Sequence, residues 1–262
     1  MSTSEPDREA PEVLVTEHGP VLVITINRPR QRNAMTRSAG QLIAAAVERL
    51  DSDPGLSVGV LTGAGGTFCA GMDLKRFAAG EAASLPVLGF GGLVGRPPRK
   101  PLIAAVEGHA VAGGFELVLA CDLVVAGRSA VFGLPEVRRG LVARGGALFR
   151  LPQRIPMAQA MEYILTGDTF DAARAQELGL VNRVVDAGSA LDGALELAQH
   201  IAANAPLALM VSKQVVNESG DWPGSESFER QAPLTDPVFA SEDAHEGAVA
   251  FAEKRRPRWT GR

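Results

Sequence analysis

AAVEGHAVAGGFELVLACDLVVAGRSAVFGLPE, residues Ala104–Glu136, decides how the chain is read. The apolar run Ala104–Val106 has the look of a buried strand and stops at Gly108. A turn at Gly113-Gly114 leads into an apolar segment that begins with Glu116. A second short run, Asp122 to Ala126, carries the chain on to Glu136 behind Pro135. Two carboxylates twenty positions apart interrupt otherwise apolar surroundings, and neither fits as a core residue would. That pair is the most chemically loaded feature of the sequence.

Outward from this stretch, strands and helices alternate. Val13 to Thr16 and Val21 to Ile26 predict a hairpin around His18-Gly19-Pro20. Thr36 caps a helix whose Ala39, Leu42, Ile43, Ala46, Val47 and Leu50 recur at three and four, ended by Asp53-Pro54-Gly55. Val58 to Thr62 is a strand that runs into Gly63-Ala64-Gly65-Gly66 and then Phe68 to Asp73. This loop has no Gly-x-Gly-x-x-Gly and no Gly-Lys-Ser/Thr, which excludes a Rossmann dehydrogenase and a P-loop nucleotide triphosphatase. Residues 78 to 100, rich in Gly and Pro, read as a flap beside a site or a plain surface loop. Downstream come a Gly/Arg loop (138–146), helices over 158–165 and 172–178, and a strand over 181–185. Three helices follow, over 190–203, 206–218 and 242–254. The expected class is α/β, with a strand-helix spiral followed by a helical tail.

The bulk composition narrows the partners. With 262 residues, 46% of them hydrophobic, the chain can build a substantial core. A net charge of −4 without a Lys/Arg run argues against nucleic acid, because phosphate binding needs a basic footprint. Cys69 and Cys121 read as buried reduced thiols of a cytoplasmic protein. The histidines lack metal-ligand spacing, so no metal is expected. Residues 1–12 are polar and read as a disordered start, and no stretch approaches the roughly 18 apolar residues of a membrane span.

Six segments in order are INRPRQRNAM, LTGAGGTFCAGMDLK, AAVEGHAVAGGFELVLACDL, FGLPEVRRGL, LTGDTFDAARAQELGLVNRVV and FAEKRRPRW. Together they resemble the crotonase, or enoyl-coenzyme A hydratase-isomerase, superfamily. The resemblance implies a crotonase-like spiral of β-β-α turns over residues 13–195. It also implies a helical C-terminal domain over 196–262 that assembles a homotrimer or a dimer of trimers. The implied substrate is an acyl thioester of coenzyme A, which supplies the coenzyme itself, so no cofactor is permanently bound.

Hydration of a conjugated thioester requires its oxygen to carry enolate charge, and paired backbone N–H groups can hold that charge. The resemblance assigns them to Met72 and Gly113; Gly113 suits the task because a helix would begin there with its N–H free. Water must also lose a proton while the α-carbon gains one. The resemblance gives the first step to Glu116 and the second to Glu136. Coenzyme A binding is implied for Arg30, Ala70, Lys75, Phe251 and Lys254, the last two often from a neighbouring subunit. Asp73 is expected to brace its loop. A glutamate pair indicates a hydratase, whereas isomerases of the family use the single position of Glu136. The leading expectation is thus an enoyl-CoA hydratase of fatty acid or related acyl-CoA metabolism. The alternatives are an isomerase, a carnitinyl-CoA dehydratase-like enzyme (suggested by FELVLA and FAEKRRPRWTGR) and a non-catalytic acyl-CoA-binding homologue. Two residues depart from the pattern. Ala112 replaces the first Gly of a three-Gly run, and Arg144 narrows the site, meets an acyl carboxylate or points outward.

Overall fold

A computed structural model describes residues 10–262. Strands β1 (Val13–His18) and β2 (Val21–Ile26) form the expected antiparallel hairpin, with His18 opposite Val21. Helix α1 (Arg37–Ser52) then crosses to β3 (Val58–Gly63), which lies parallel to β2. Thr36 Oγ1 caps α1 by accepting the Ala39 N–H at 3.0 Å. Ala39, Ile43, Ala46, Val47 and Leu50 are buried at the expected spacing, while Leu42 is half-exposed. Cutting Ile43 to Ala would cost about 2–5 kcal/mol at so enclosed a position. Of the twelve residues expected to be disordered, 1–9 lie outside the described residues. Glu12 belongs to the fold: its carbonyl accepts the Asn27 N–H at 2.7 Å and its carboxylate meets Arg28 and the Thr36 hydroxyl, both at 2.8 Å.

Helix α2 (Leu74–Ala78) leads into the segment read as a flap, which holds the short hairpin β4 (Ser84–Leu85) and β5 (Gly89–Phe90). It is seated on the core through buried Phe90, Leu93 and Val94. The Gly91-Gly92 pair allows this, since a Cβ on Gly92 would stand 2.1 Å from the Gly40 carbonyl of α1.

The chain then repeats one unit. Strand β6 (Leu102–Val106) adds to the large sheet, β7 (His109–Val111) to a small one, and α3 (Gly113–Ala120) follows. Strand β8 (Leu123–Gly127) returns beside β6 and β9 (Val131–Gly133) beside β7. This is the β-β-α turn of the expected spiral. All eight residues of α3 are buried, as expected of a helix apolar on every side. Phe115, Phe132, Phe170 and Tyr163 stack behind it with ring centroids 4.3–5.9 Å apart, fixing α3 to the small sheet.

Helices α4 (Ala147–Arg154) and α5 (Met157–Thr166) precede β10 (Thr169–Asp171), and α6 (Ala172–Glu177) precedes β11 (Arg183–Val185). The large sheet runs β1-β2-β3-β6-β8-β11 and the small one β10-β9-β7. Helix α7 (Ala190–Ala202) lays Ala190, Ala194 and Ala198 against the valines of the large sheet. The expected boundary at 195/196 therefore falls inside a helix that packs with the spiral. The tail proper is α8 (Pro206–Glu218), α9 (Ser227–Phe239) and α10 (Glu242–Ala252). Helix α9 escaped the sequence pattern because Pro233 and Pro237 lie inside it; four apart, they remove their donors from one face. No described helix is long and apolar enough to cross a membrane.

Candidate active site

Three segments meet around the start of α3. The first is the loop after β3. Asn33, buried at φ 55°, donates to the carbonyls of Ala64 at 2.9 Å and Thr67 at 2.7 Å. Arg28 ties Glu12, the Ala34 carbonyl and Asp73 together, the last at 3.1 Å. Asp73 also caps α2 through the Lys75 and Arg76 N–H groups. Burial works against its charge, but the Arg76 N–H and Arg28 bonds hold its carboxyl below the ordinary range. Asp73 thus braces the loop as expected, and a parallel bridge between Met35 and Met72 registers it.

Gly71 brings this loop against α3. A Cβ on Gly71 would sit 3.2 Å from the Gly113 nitrogen, so Met72 follows directly beside the first turn of the helix. The Met35–Met72 bridge uses the neighbouring groups, Gly71 O and Asp73 N–H. Among the described residues, the N–H groups of Met72 and Gly113 therefore donate to nothing. Phe90 covers Gly113, its ring within 2.4 Å of where a Cβ would be. Ala112, just before, is held at φ 52°, ψ −129°, strained for a residue with a side chain.

One turn into α3, Glu116 is 4% exposed. Its Oε1 accepts the Gly145 N–H at 2.6 Å and the Ala147 N–H at 3.3 Å, so the carboxylate faces the N-terminus of α4. Burial is the larger influence and, with the charge of Glu136, outweighs those donors and Arg150, pushing Glu116 from 4.5 to about 7. Glu136 follows Pro135 in a 3-10 turn, Pro135–Arg139. Its Oε2 is buried without a hydrogen-bond partner among the described residues. Burial raises its pKa too, against the pull of its own N–H and Arg139. The Ala112 N–H donates to the Gly133 carbonyl at 2.9 Å, which brings the segment leading to Glu136 against the start of α3, and the charge of Glu136 adds to the rise of Glu116. A pair of this kind, both raised by burial and close to two free N–H donors, can move protons to and from a substrate held at those donors.

The other expected residues are spread more widely. Ala70 is half-buried beside Gly71 and donates its N–H to the Arg32 carbonyl at 3.0 Å, while Arg30 and Lys75 are exposed. Phe251, 88% exposed, and Lys254 lie at the end of α10. No hydrogen bond or ion pair among the described residues joins them to the first loop. Arg144 is exposed and unpaired among the described residues. The sequence pattern passed over Gly145, Arg150, Arg28 and Asn33. Their parts depend on contacts 5 to 56 positions away, and only the Gly145-Gly146 pair left a visible trace.

The family model described as enoyl-CoA hydratase/isomerase matches residues 16–262. A relative named enoyl-CoA hydratase EchA19, from Mycobacterium tuberculosis, is 43% identical over the full length of both chains. The carnitinyl-CoA dehydratase of Proteus mirabilis is 41% identical, covering 95% of this chain and 98% of its own. A crystal structure titled enoyl-CoA hydratase EchA1 from Mycobacterium marinum superposes with a TM-score of 0.95 at 56% identity, covering 97% of this chain and all of that one. With the β-β-α spiral and the glutamate pair in place, the chain belongs to the enoyl-CoA hydratase/isomerase family of the crotonase superfamily.

Proposed function

We propose that this protein is a hydratase, a lyase that adds water across the double bond of a 2-enoyl thioester of coenzyme A. The observation that carries the reading is the pairing of Glu116 and Glu136, both buried and both raised in pKa, beside the unengaged N–H groups of Met72 and Gly113. Those N–H groups receive the thioester oxygen. Glu116 takes a proton from water as its oxygen bonds to the β-carbon, and Glu136 gives its proton to the α-carbon as the enolate collapses. Two N–H donors on Glu116 suit the group that must bear charge, and the lone buried oxygen of Glu136 suits the one that arrives protonated.

Arg30, Ala70 and Lys75 hold the coenzyme on the near loop in this reading. Phe251 and Lys254 reach a neighbouring subunit's coenzyme in a homotrimer or dimer of trimers. Helices α8 and α9 bury no residue of their own, and Phe228 and Phe239 are 87% and 84% exposed, which supports assembly through the tail. Light scattering that returned a monomer at working concentration would remove that part.

Purified protein mixed with crotonyl-CoA should bleach the conjugated absorbance. Binding without turnover would favour a thioester-binding homologue, and turnover of 3-enoyl but not 2-enoyl substrates an isomerase. The identity to a carnitinyl-CoA dehydratase supports a second reading, in which the acyl group is polar. A panel of short, long, branched and polar enoyl thioesters separates the two.

A further inference from the structure

Arg150 takes no part in the chemistry just described, yet it lies between the two segments that enclose Glu116. From the second turn of α4 its Nη2 donates to the Val94 carbonyl at 2.7 Å, on the segment after the β4–β5 hairpin. Its Nη1 donates to the Gly145 carbonyl at 3.2 Å. Gly145 is the residue whose N–H meets Glu116 Oε1 at 2.6 Å. The Gly-Gly pair is enclosed from both sides. A Cβ on Gly145 would come within 2.5 Å of Glu116 Oε2, and one on Gly146 within 2.5 Å of Arg150 Nη1. A glycine has no side chain to limit its torsions, so the direction of the Gly145 N–H has to be fixed by its neighbours.

Resting on the hydratase reading, we propose that Arg150 is a positioning residue for Glu116: its guanidinium clamps the Gly145 and Val94 carbonyls, aims the Gly145 N–H at the carboxylate and places a cation behind it. A planar fork with separate donors can hold two carbonyls at once, which a lysine ammonium on a flexible stem does less well. The charge acts in the same direction as the geometry. Arg150 and the Gly145 and Ala147 N–H groups favour ionised Glu116, while burial and Glu136 oppose it. Behind Arg150 lie Arg154, which opposes its charge, and Cys121, a thiol pushed up to about 12 and so neutral.

The test is a pH–rate profile for crotonyl-CoA hydration by Arg150→Met and Arg150→Lys beside the parent. Glu116 must be ionised to activate water, so removing the cation should move the acid limb of kcat upward by about half a unit or more. In Arg150→Met, kcat should also fall about tenfold with KM within about twofold, because the carboxylate is misaimed while the coenzyme contacts remain. Arg150→Lys should keep the parent limb and recover only part of kcat. Parent-like kcat in both variants overturns the proposal. So does a lowered kcat with an unmoved limb in Arg150→Met and no rescue by Lys, the pattern of a merely structural arginine. If Arg150→Met fails to fold by circular dichroism, Arg150→Gln takes its place: an acid limb moved upward with Lys restoring it supports the clamp, and an unmoved limb refutes it. A parent protein inactive on crotonyl-CoA would defeat the hydratase reading itself, an outcome distinct from an active parent with indifferent variants.

Discussion

The surroundings of Glu116 and of Glu136 differ in what they offer a charge. Glu116 sits on a helix buried along its whole length, with two N–H donors on one oxygen and a guanidinium behind them. Glu136 sits on a 3-10 turn, one oxygen buried and without a partner among the described residues. Burial raises the pKa of both acids, but only the first surrounding offers a charge hydrogen-bond donors. In the proposed reaction, this difference in hydrogen bonding is what assigns base and acid to two residues of the same type.

The largest effects should come from removing either acid. Glu116→Gln and Glu136→Gln should each lower the hydration rate by about a thousandfold. They should part on a 3-enoyl thioester, where Glu116→Gln keeps much of its double-bond migration and Glu136→Gln does not. Gly145→Ala should come next. Its methyl group would press on Glu116 Oε2 at 2.5 Å and turn the carboxylate from its donors, lowering kcat about a hundredfold while leaving Glu136 untouched.

Stability against pH sharpens the contrast further. The folded chain holds the Glu116 proton to about 7 and the ordinary carboxyl releases it at 4.5. This group's contribution is therefore complete below 4.5 and lost as pH rises through 7. Glu116→Gln has no such loss, so by pH 8 denaturant melts should show the gap moving in its favour by about 3 kcal/mol relative to acid conditions. The smallest effect lies one turn upstream. Ala112→Gly should relieve the positive φ and stabilise the fold by about 1 kcal/mol, read as a shift in denaturant midpoint.

Much of this was legible in the residues. Apolar runs separated by Gly turns announced the strands of the large sheet, and Thr36 announced the helix that it caps, whereas the three-residue strands β7, β9 and β10 of the small sheet were too short to read. The two acids stood out because α3 and the strands beside it are otherwise apolar. What stayed hidden depends on long-range packing. Residues 78–100 look loose in sequence because Gly91 and Gly92 are there to lie on α1. Helix α9 carries two prolines that a local pattern must read as breaks. Ala112 seemed a trivial exchange for Gly until its backbone angles showed what the exchange costs.

The division of labour between the two acids is the central claim, and exchange at the α-carbon tests it without the water step. Butyryl-CoA, a saturated thioester, can be incubated with each Glu→Gln variant in D2O and its α-deuterium content followed by mass spectrometry. Exchange should persist in Glu116→Gln and vanish in Glu136→Gln. Persistence in Glu136→Gln with loss in Glu116→Gln would contradict the assignment.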